Sequence, residues 1–147
     1  VAALLHDVGI FVSLRGHHKH AQYILSVSEI FGLSRDDMAI ISNIARYHRR
    51  ALPNKSHLPY MALDSDARVR VNKLAAILRV ANALDADHLQ KVRDVRVLRE
   101  EEEWALEVDG GGDLTLERLA SVARTDMLVE VFGRKLAFRG AAGMALA

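Results

Sequence analysis

The run from Ala67 to Leu84 constrains the fold more than any other segment of the 147 residues. Val71, Leu74, Ala75, Leu78 and Ala81 recur there at helical spacing, with Ile77 beside them, which predicts one long helix. Its apolar character extends around much of the circumference, so the expected place for it is the centre of a helical bundle. Three earlier stretches supply neighbours. Val1–Val8 reads as the end of a helix already under way, which predicts that the chain is a fragment. Gly9 follows as a natural terminator, because glycine tolerates positive φ. A second helix is expected from about His18 to Phe31, carried by Ala21, Ile24, Leu25, Val27 and Ile30 and closed by Gly32. Ser34 caps a third, with Asp37 three residues on in an acidic form of the capping box. That helix shows Met38, Ile41, Ile44 and Ala45 on one face and ends in the polar run Arg46–Arg50. Pro53 and Pro59 mark Ala51–Asp64 as a loop.

The texture changes near Lys91. Val92–Leu98 and Trp104–Val108 alternate as strands do, with the charge run Glu100–Glu103 between them. Asp109–Asp113 holds three glycines but lacks the Gly-Lys-Ser/Thr ending of a phosphate loop, so it is read as a turn. Leu116–Phe132 is expected to form another helix, Lys135–Phe138 a last strand, and residues 140–147 a frayed tail. The fold class is therefore mainly α, a helical bundle followed by a small α+β segment. The domain division places the helical part at residues 1–91 and the α+β part at 92–147.

Composition narrows the function classes. There is no Cys, which removes disulfide scaffolds, Cys-ligated zinc and thiol nucleophiles. No apolar run reaches the roughly 18–20 residues of a membrane span, and no signal peptide is seen, so a cytoplasmic protein is expected. The net charge of +1 is unevenly spread. Residues 1–98 carry 14 Lys and Arg against 9 Asp and Glu, together with all seven His, whereas residues 99–147 carry 6 against 10. The front of the chain is thus the plausible anion-facing part, and its excess is too small for a nucleic-acid arm.

Four clusters bear chemistry. His6-Asp7 at a helix end can offer imidazole and carboxylate to one metal, or serve as a local capping pair. Arg15, His17, His18, Lys19 and His20 gather at the start of the second helix, where free backbone amides favour anions. Arg46, His48, Arg49 and Arg50 gather at the end of the third. Guanidinium groups grip phosphate oxygens in pairs, but they also satisfy the last carbonyls of a helix. Lys55 and His57 sit in the loop that follows. Asn82 and Asp85 share a helix face, with Asp87 and His88 just beyond. They are candidate metal donors, or more simply the marks of a helix end.

The motifs "LLHDVG", "GHHKHAQYIL", "IARYHRRALP", "LAAILRVANALDADH" and "LERLASVARTDMLVEVFGRKLAF", taken in order, resemble the C-terminal region of the exopolyphosphatase/guanosine pentaphosphate phosphatase family over about residues 1–139. In that family this region is similar to the HD superfamily of metal-dependent phosphohydrolases, so the resemblance implies an HD-like bundle. It places catalysis and Mg²⁺ in N-terminal actin-like domains that are not seen in this sequence, and it implies no catalytic residue and no cofactor in this chain. The implied role is binding of polyphosphate or another phosphorylated anion and assembly of a homodimer, with no membrane or nucleic-acid partner. His6 and Asp7 match the HD pair, but the upstream His has no counterpart. Asn82 stands at the expected Asp position, which leaves the pair vestigial. Two readings compete with this one. The chain is an autonomous HD-type hydrolase with substitute ligands such as His20, His48 or Asp85, or it is a purely structural dimerisation domain.

Turnover separates the first of these from the rest. With Mg²⁺ or Mn²⁺, the chain alone is expected to leave polyphosphate, a nucleoside pentaphosphate and a phosphomonoester intact. Metal-dependent release of phosphate that is abolished in His6→Ala would establish the hydrolase instead.

Overall fold

The computed structural model describes Val1–Gly140. Its helices are α1 (Ala2–Leu5), α2 (His17–Val27), α3 (Arg35–Arg46), α4 (Leu58–Met61), α5 (Ser65–Ala83), α6 (Thr115–Val122) and α7 (Asp126–Phe132). A 3₁₀ turn at Val8–Phe11 follows α1, and the strands are β1 (Val92–Arg99), β2 (Glu103–Gly110) and β3 (Lys135–Gly140). The class is mainly α with a small α+β segment, as expected. The chain divides into two compact units, Val1–Leu78 and Arg79 onward, and the division falls within α5. No helix among the described residues is long and apolar enough to cross a membrane.

In the first unit α2 and α3 pack together, and the 3₁₀ turn and α1 lie against them. Ala21 and Leu25 from α2 meet Met38 and Ala45 from α3, with Leu5, Val8, Ile30, Leu33 and Ile41 around that centre. The boundary of α3 is set by its cap. Ser34 Oγ accepts from the Asp37 amide at 3.1 Å while Asp37 Oδ2 accepts from the Ser34 amide at 3.0 Å, and this reciprocal pair satisfies two otherwise unbonded donors. Pro59 sits in the first turn of α4, where its missing N–H costs nothing.

Several expectations need correction. The second helix ends at Val27, short of Phe31, and the expected loop contains α4. Gly9 does not end a helix through positive φ, since its backbone lies in the ordinary region; its role is close packing, described below. The predicted buried side of α5 is only partly so: Leu74 is 47% and Ile77 51% exposed, and Ala81 is exposed as well. Val71, Ala75 and Leu78 are buried as expected, and Ala67, Ala76, Val80 and Ala83 join them, mostly small side chains that admit close approach of a backbone. The single helix expected over Leu116–Phe132 is two. Thr125 Oγ1 donates to the Val122 carbonyl at 2.9 Å, taking an acceptor that a continuing helix would use, and α7 begins afresh at Asp126. The expected tail, 140–147, lies outside the described residues apart from Gly140.

The second unit is built on the sheet β1-β2-β3, in which β1 and β2 form an antiparallel hairpin and β3 joins β2 in parallel through α6 and α7. β1 is an edge strand with Val95, Val97 and Leu98 exposed. The core is formed from Ala105, Leu106 and Val108 of β2 with Met127 and Leu128 of α7, and the Trp104 and Phe132 rings meet at a tilt with centroids 5.2 Å apart. Arg79, 1% exposed, donates twice from Nη2 to the Asp126 carboxylate, at 2.7 and 3.0 Å.

Removing the carboxylate in Asp126→Ala deprives a buried guanidinium of its charged acceptor. Asp126 is itself half-exposed, so the expected loss is about 2 kcal/mol, below the range for a wholly buried pair. Urea unfolding followed by the fluorescence of Trp104, the only tryptophan, measures it.

Candidate functional site

Asp7 lies between α1 and the 3₁₀ turn, and three imidazoles close around its carboxylate. His17 Nε2 is 3.3 Å and His48 Nε2 3.4 Å from Oδ1, while His6 Nε2 is 3.4 Å from Oδ2. His17 and His48 also face each other, with their Nε2 atoms 3.2 Å apart. His17 opens α2 and His48 follows α3, so the cluster ties together the three elements that form the first unit's core. Its burial is graded: His48 is fully buried, His17 nearly so, and the Asp7 side chain is 31% exposed.

Two backbone features make the cluster possible. Gly16, at φ +76°, caps α2 and turns the chain so that His17 enters at its first position. Gly9 packs directly on the start of the same helix: a Cβ there would lie 2.0 Å from the His17 carbonyl oxygen and 2.5 Å from the Ala21 amide nitrogen. Only glycine lets the segment carrying Asp7 approach the backbone of His17 this closely.

Each of the three rings is held at its other nitrogen by a carbonyl three residues back. His6 Nδ1 donates to Ala3 at 2.8 Å, His17 Nδ1 to Leu14 at 3.0 Å and His48 Nδ1 to Ala45 at 2.6 Å. A carbonyl only accepts, so each of these Nδ1 atoms carries a proton. Burial lowers the His48 pKa to about 4, aided by His6 and His17 and opposed by the Ala45 hydrogen bond and by Asp7, so its ring is neutral at pH 7.

Beside this electron-rich centre lies a cationic one. His18 follows His17 with the two rings at 5.8 Å, and its pKa falls to about 4 through burial and the positive fields of Arg46, His17, Lys19 and Arg49. Arg46 is 9% exposed, and burial lowers its pKa as well. Among the described residues, Arg46 Nη1 and His18 Nδ1 are buried with no hydrogen-bond partner. His57 feels the fields of Arg46 and Lys19, after the larger effect of burial, and bonds the Tyr47 hydroxyl at 2.8 Å. The two basic clusters and the loop of His57 therefore converge.

The predicted residues thus separate into groups. His17 and His48, expected to face an anion, turn to Asp7; His18, Lys19, Arg46 and Arg49 share one positive field. Arg15 and Arg50 are exposed and His20 half-buried. Asn82 lies in the last turn of α5, within the second unit. Beyond it, Asp85 and Asp87 accept from the Gln90 and Leu89 amides, and His88 is exposed at φ 58°, which is a helix end. The close-packing role of Gly9 had no signal in the sequence beyond its being a glycine beside His-Asp.

Comparison with known proteins agrees with this architecture. The family model described as Ppx/GppA phosphatase, domain III, matches residues 1–122. A guanosine-5'-triphosphate,3'-diphosphate pyrophosphatase of Pseudoalteromonas translucida is 30% identical over 108 residues, covering 69% of this chain and 22% of the relative. The chain therefore spans about a fifth of that protein's length.

Gly9→Ala should push the Asp7 segment off α2. Because the added methyl meets backbone rather than a flexible side chain, a loss of about 3 kcal/mol is expected, at the upper end for overpacking. Thermal unfolding followed by circular dichroism measures the loss, and the histidine ring resonances in NMR report whether Asp7 has left His17.

Proposed function

Because the chain belongs to the Ppx/GppA phosphatase family, corresponding to its domain III, we propose that it is an accessory region that binds linked phosphates for such a phosphatase. The observation that carries this reading is the buried Arg46 guanidinium with an unpartnered nitrogen, beside the unpartnered His18 Nδ1. A buried donor left without an acceptor is costly, and a phosphoryl oxygen is an acceptor that guanidinium geometry suits well. Lys19 and Arg49 add charge at the exposed margin, and Arg15 and Arg50 lie on the same two basic segments. Several cations along two segments suit a chain of phosphates better than one phosphate group. The name of the Pseudoalteromonas relative, which specifies a nucleotide with a triphosphate and a diphosphate, supports the same ligand class.

Hydrolysis in this reading belongs to the actin-like domains of the parent, with their Mg²⁺, and homodimer assembly in the cytoplasm is part of the same proposal. Leu4, Phe11 and Leu14 are 87%, 95% and 71% exposed on the segments flanking Asp7. Large apolar side chains in such a position support further protein contact there. The carboxylate among three imidazoles favours a second reading, an autonomous metal-dependent phosphohydrolase, and the turnover assay described above decides against or for it.

Calorimetric titration of long-chain polyphosphate, with the protein freed of metal, tests the accessory reading. Wild type is expected to bind with an affinity that falls steeply with salt, since the bound cations displace counterions. Lys19→Ala with Arg49→Ala removes two exposed cations and spares the core. It should weaken binding about tenfold or more and reduce the slope of log affinity against log salt by about 1.4, at roughly 0.7 per contact. No binding by wild type, or the same affinity and slope in the variant, would leave the region as scaffold.

A further inference from the structure

The sheet of the second unit leaves one edge uncovered. β3, on one side, is half-buried over most of its length, whereas every residue of β1 from Arg93 to Arg99 is exposed. Val95, Val97 and Arg99 share a face of the sheet with their β2 partners Val108, Leu106 and Trp104. Leu106 and Val108 are buried on that face, while Val97 is 62% exposed. The hairpin turn fixes which main-chain groups point outward. Glu100 donates to the Glu103 carbonyl at 2.9 Å, so Leu98 with Ala105 and Arg96 with Glu107 are hydrogen-bonded pairs of the ladder. The residues between them direct their N–H and C=O away from β2. Asp94 Oδ1 takes the Val95 N–H at 2.9 Å, which leaves the Val95 carbonyl and both groups of Val97 and Arg99 along the edge. A bulge between Val92 and Asp94 ends the regular edge at its start.

We infer that the edge of β1 at residues 95–99 is a docking surface for an extended segment of a partner protein in which acidic and apolar residues alternate, added to the sheet as a further strand. In such an addition main-chain hydrogen bonds hold the segment and side chains select it. Here the selection is by charge. β1 carries Arg93, Arg96 and Arg99 against Asp94 alone, all of them exposed. The hairpin shows which strand this sequence accepts: Glu107 lies opposite Arg96, between Leu106 opposite Val97 and Val108 opposite Val95. The outer edge offers the same residues on the same two faces, so it suits the same apolar-acidic-apolar order. A second copy of β1 suits it poorly. Because the outward groups fall on alternate residues, a two-fold antiparallel pair centres on a residue, not between two. Centred on Arg96, it sets Arg96 against Arg96 and Arg93 against Arg99; centred on Val97, it sets Asp94 against Glu100. Like charges directly opposite are destabilising. Centred on Val95, the pair needs the N–H that Asp94 holds, and centred on Leu98 it overlaps β1 over 97–99 alone. The arginines thus guard the edge against strands like itself, a common use of charge on an edge, and leave it open to an acidic one.

This surface lies in the second unit and uses no residue of the two basic clusters, so its test is separate from that of phosphate binding. A fluorescein-labelled peptide of the order Ser-Glu-Ala-Val-Glu-Val-Ser is titrated into the full chain and followed by anisotropy, beside a counterpart with lysine in place of each glutamate. The glutamate peptide is expected to bind, and the lysine peptide about tenfold more weakly or less well still. Amide hydrogen exchange followed by NMR locates the contact. The Val97 and Arg99 amides should exchange more slowly with the glutamate peptide bound, whereas those of Lys19 and Arg49 should not change. Val97→Pro removes an outward N–H at an edge position, where proline is tolerated. It should keep the circular dichroism of wild type and weaken the glutamate peptide about fivefold or more. Should that variant fail to fold, the exchange of Val97 and Arg99 in wild type decides. No binding of the glutamate peptide, equal binding of the lysine peptide, undiminished binding by folded Val97→Pro, or unchanged exchange at Val97 and Arg99 would overturn the docking surface. Slower exchange at those two amides as the peptide-free chain is concentrated would overturn it in favour of a second copy.

Discussion

The approach of the Asp7 segment to the first turn of α2 organises the first unit. It brings a carboxylate among three imidazoles from three elements, and it is possible because residue 9 has no side chain to hold the backbones apart. The remaining packing is consistent with that contact. Small residues, Ala21 on α2 and Ala45 on α3, are fully buried at the centre of the core, so the two helices come close enough for His17 and His48 to face each other. Gln22 donates to Asn43 Oδ1 at 3.2 Å across the same pair, and Asn43 in turn donates to the Pro59 carbonyl, fixing the loop that carries His57. Polar side chains buried in this manner are costly to leave without partners. Their geometry therefore restricts the helices to few arrangements.

Two opposite electrostatic requirements meet along α2. His17 faces the Asp7 carboxylate, and its neighbour His18 stands in the positive field of Arg46, Lys19 and Arg49. The two rings, adjacent in sequence, lie 5.8 Å apart, so opposite surroundings act on neighbouring positions of one helix turn.

Much of this was legible in the sequence where local rules operate. The Ser34–Asp37 capping box locates the start of α3, and the alternation after Lys91 locates the hairpin, because both depend on residues within a few positions of one another. The clusters of the site were also visible as residue types. What remained hidden was which imidazole faces which way. In the run His17-His18-Lys19-His20 the inward residue depends on the rotation of α2 about its axis, and that is set by packing against α3 and by the turn at Gly16, not by composition. His48 has the same ambiguity amid Arg46–Arg50. The exposure of Leu74 and Ile77 escaped for a related reason: periodicity shows which residues share a face of α5, and tertiary packing chooses how much of the circumference to cover. At the break between α6 and α7 the chain tightens into i−3 hydrogen bonds at Arg124 and Thr125, with the Thr125 hydroxyl on the same Val122 carbonyl, a change that apolar spacing does not encode.

The residue at position 82 takes on a different weight in this light. Read as an HD-type site, the sequence has a neutral Asn where a second carboxylate is expected, which takes one negative charge from that position. Asp7 is the carboxylate that His6, His17 and His48 all face, and these four residues lie in the first unit, whereas Asn82 belongs to the second. The negative charge that the three imidazoles face therefore comes from a single side chain. Lys19, Arg46 and Arg49, whose fields meet at His18 next along the chain from His17, outnumber it, so this part of the first unit carries a net positive field.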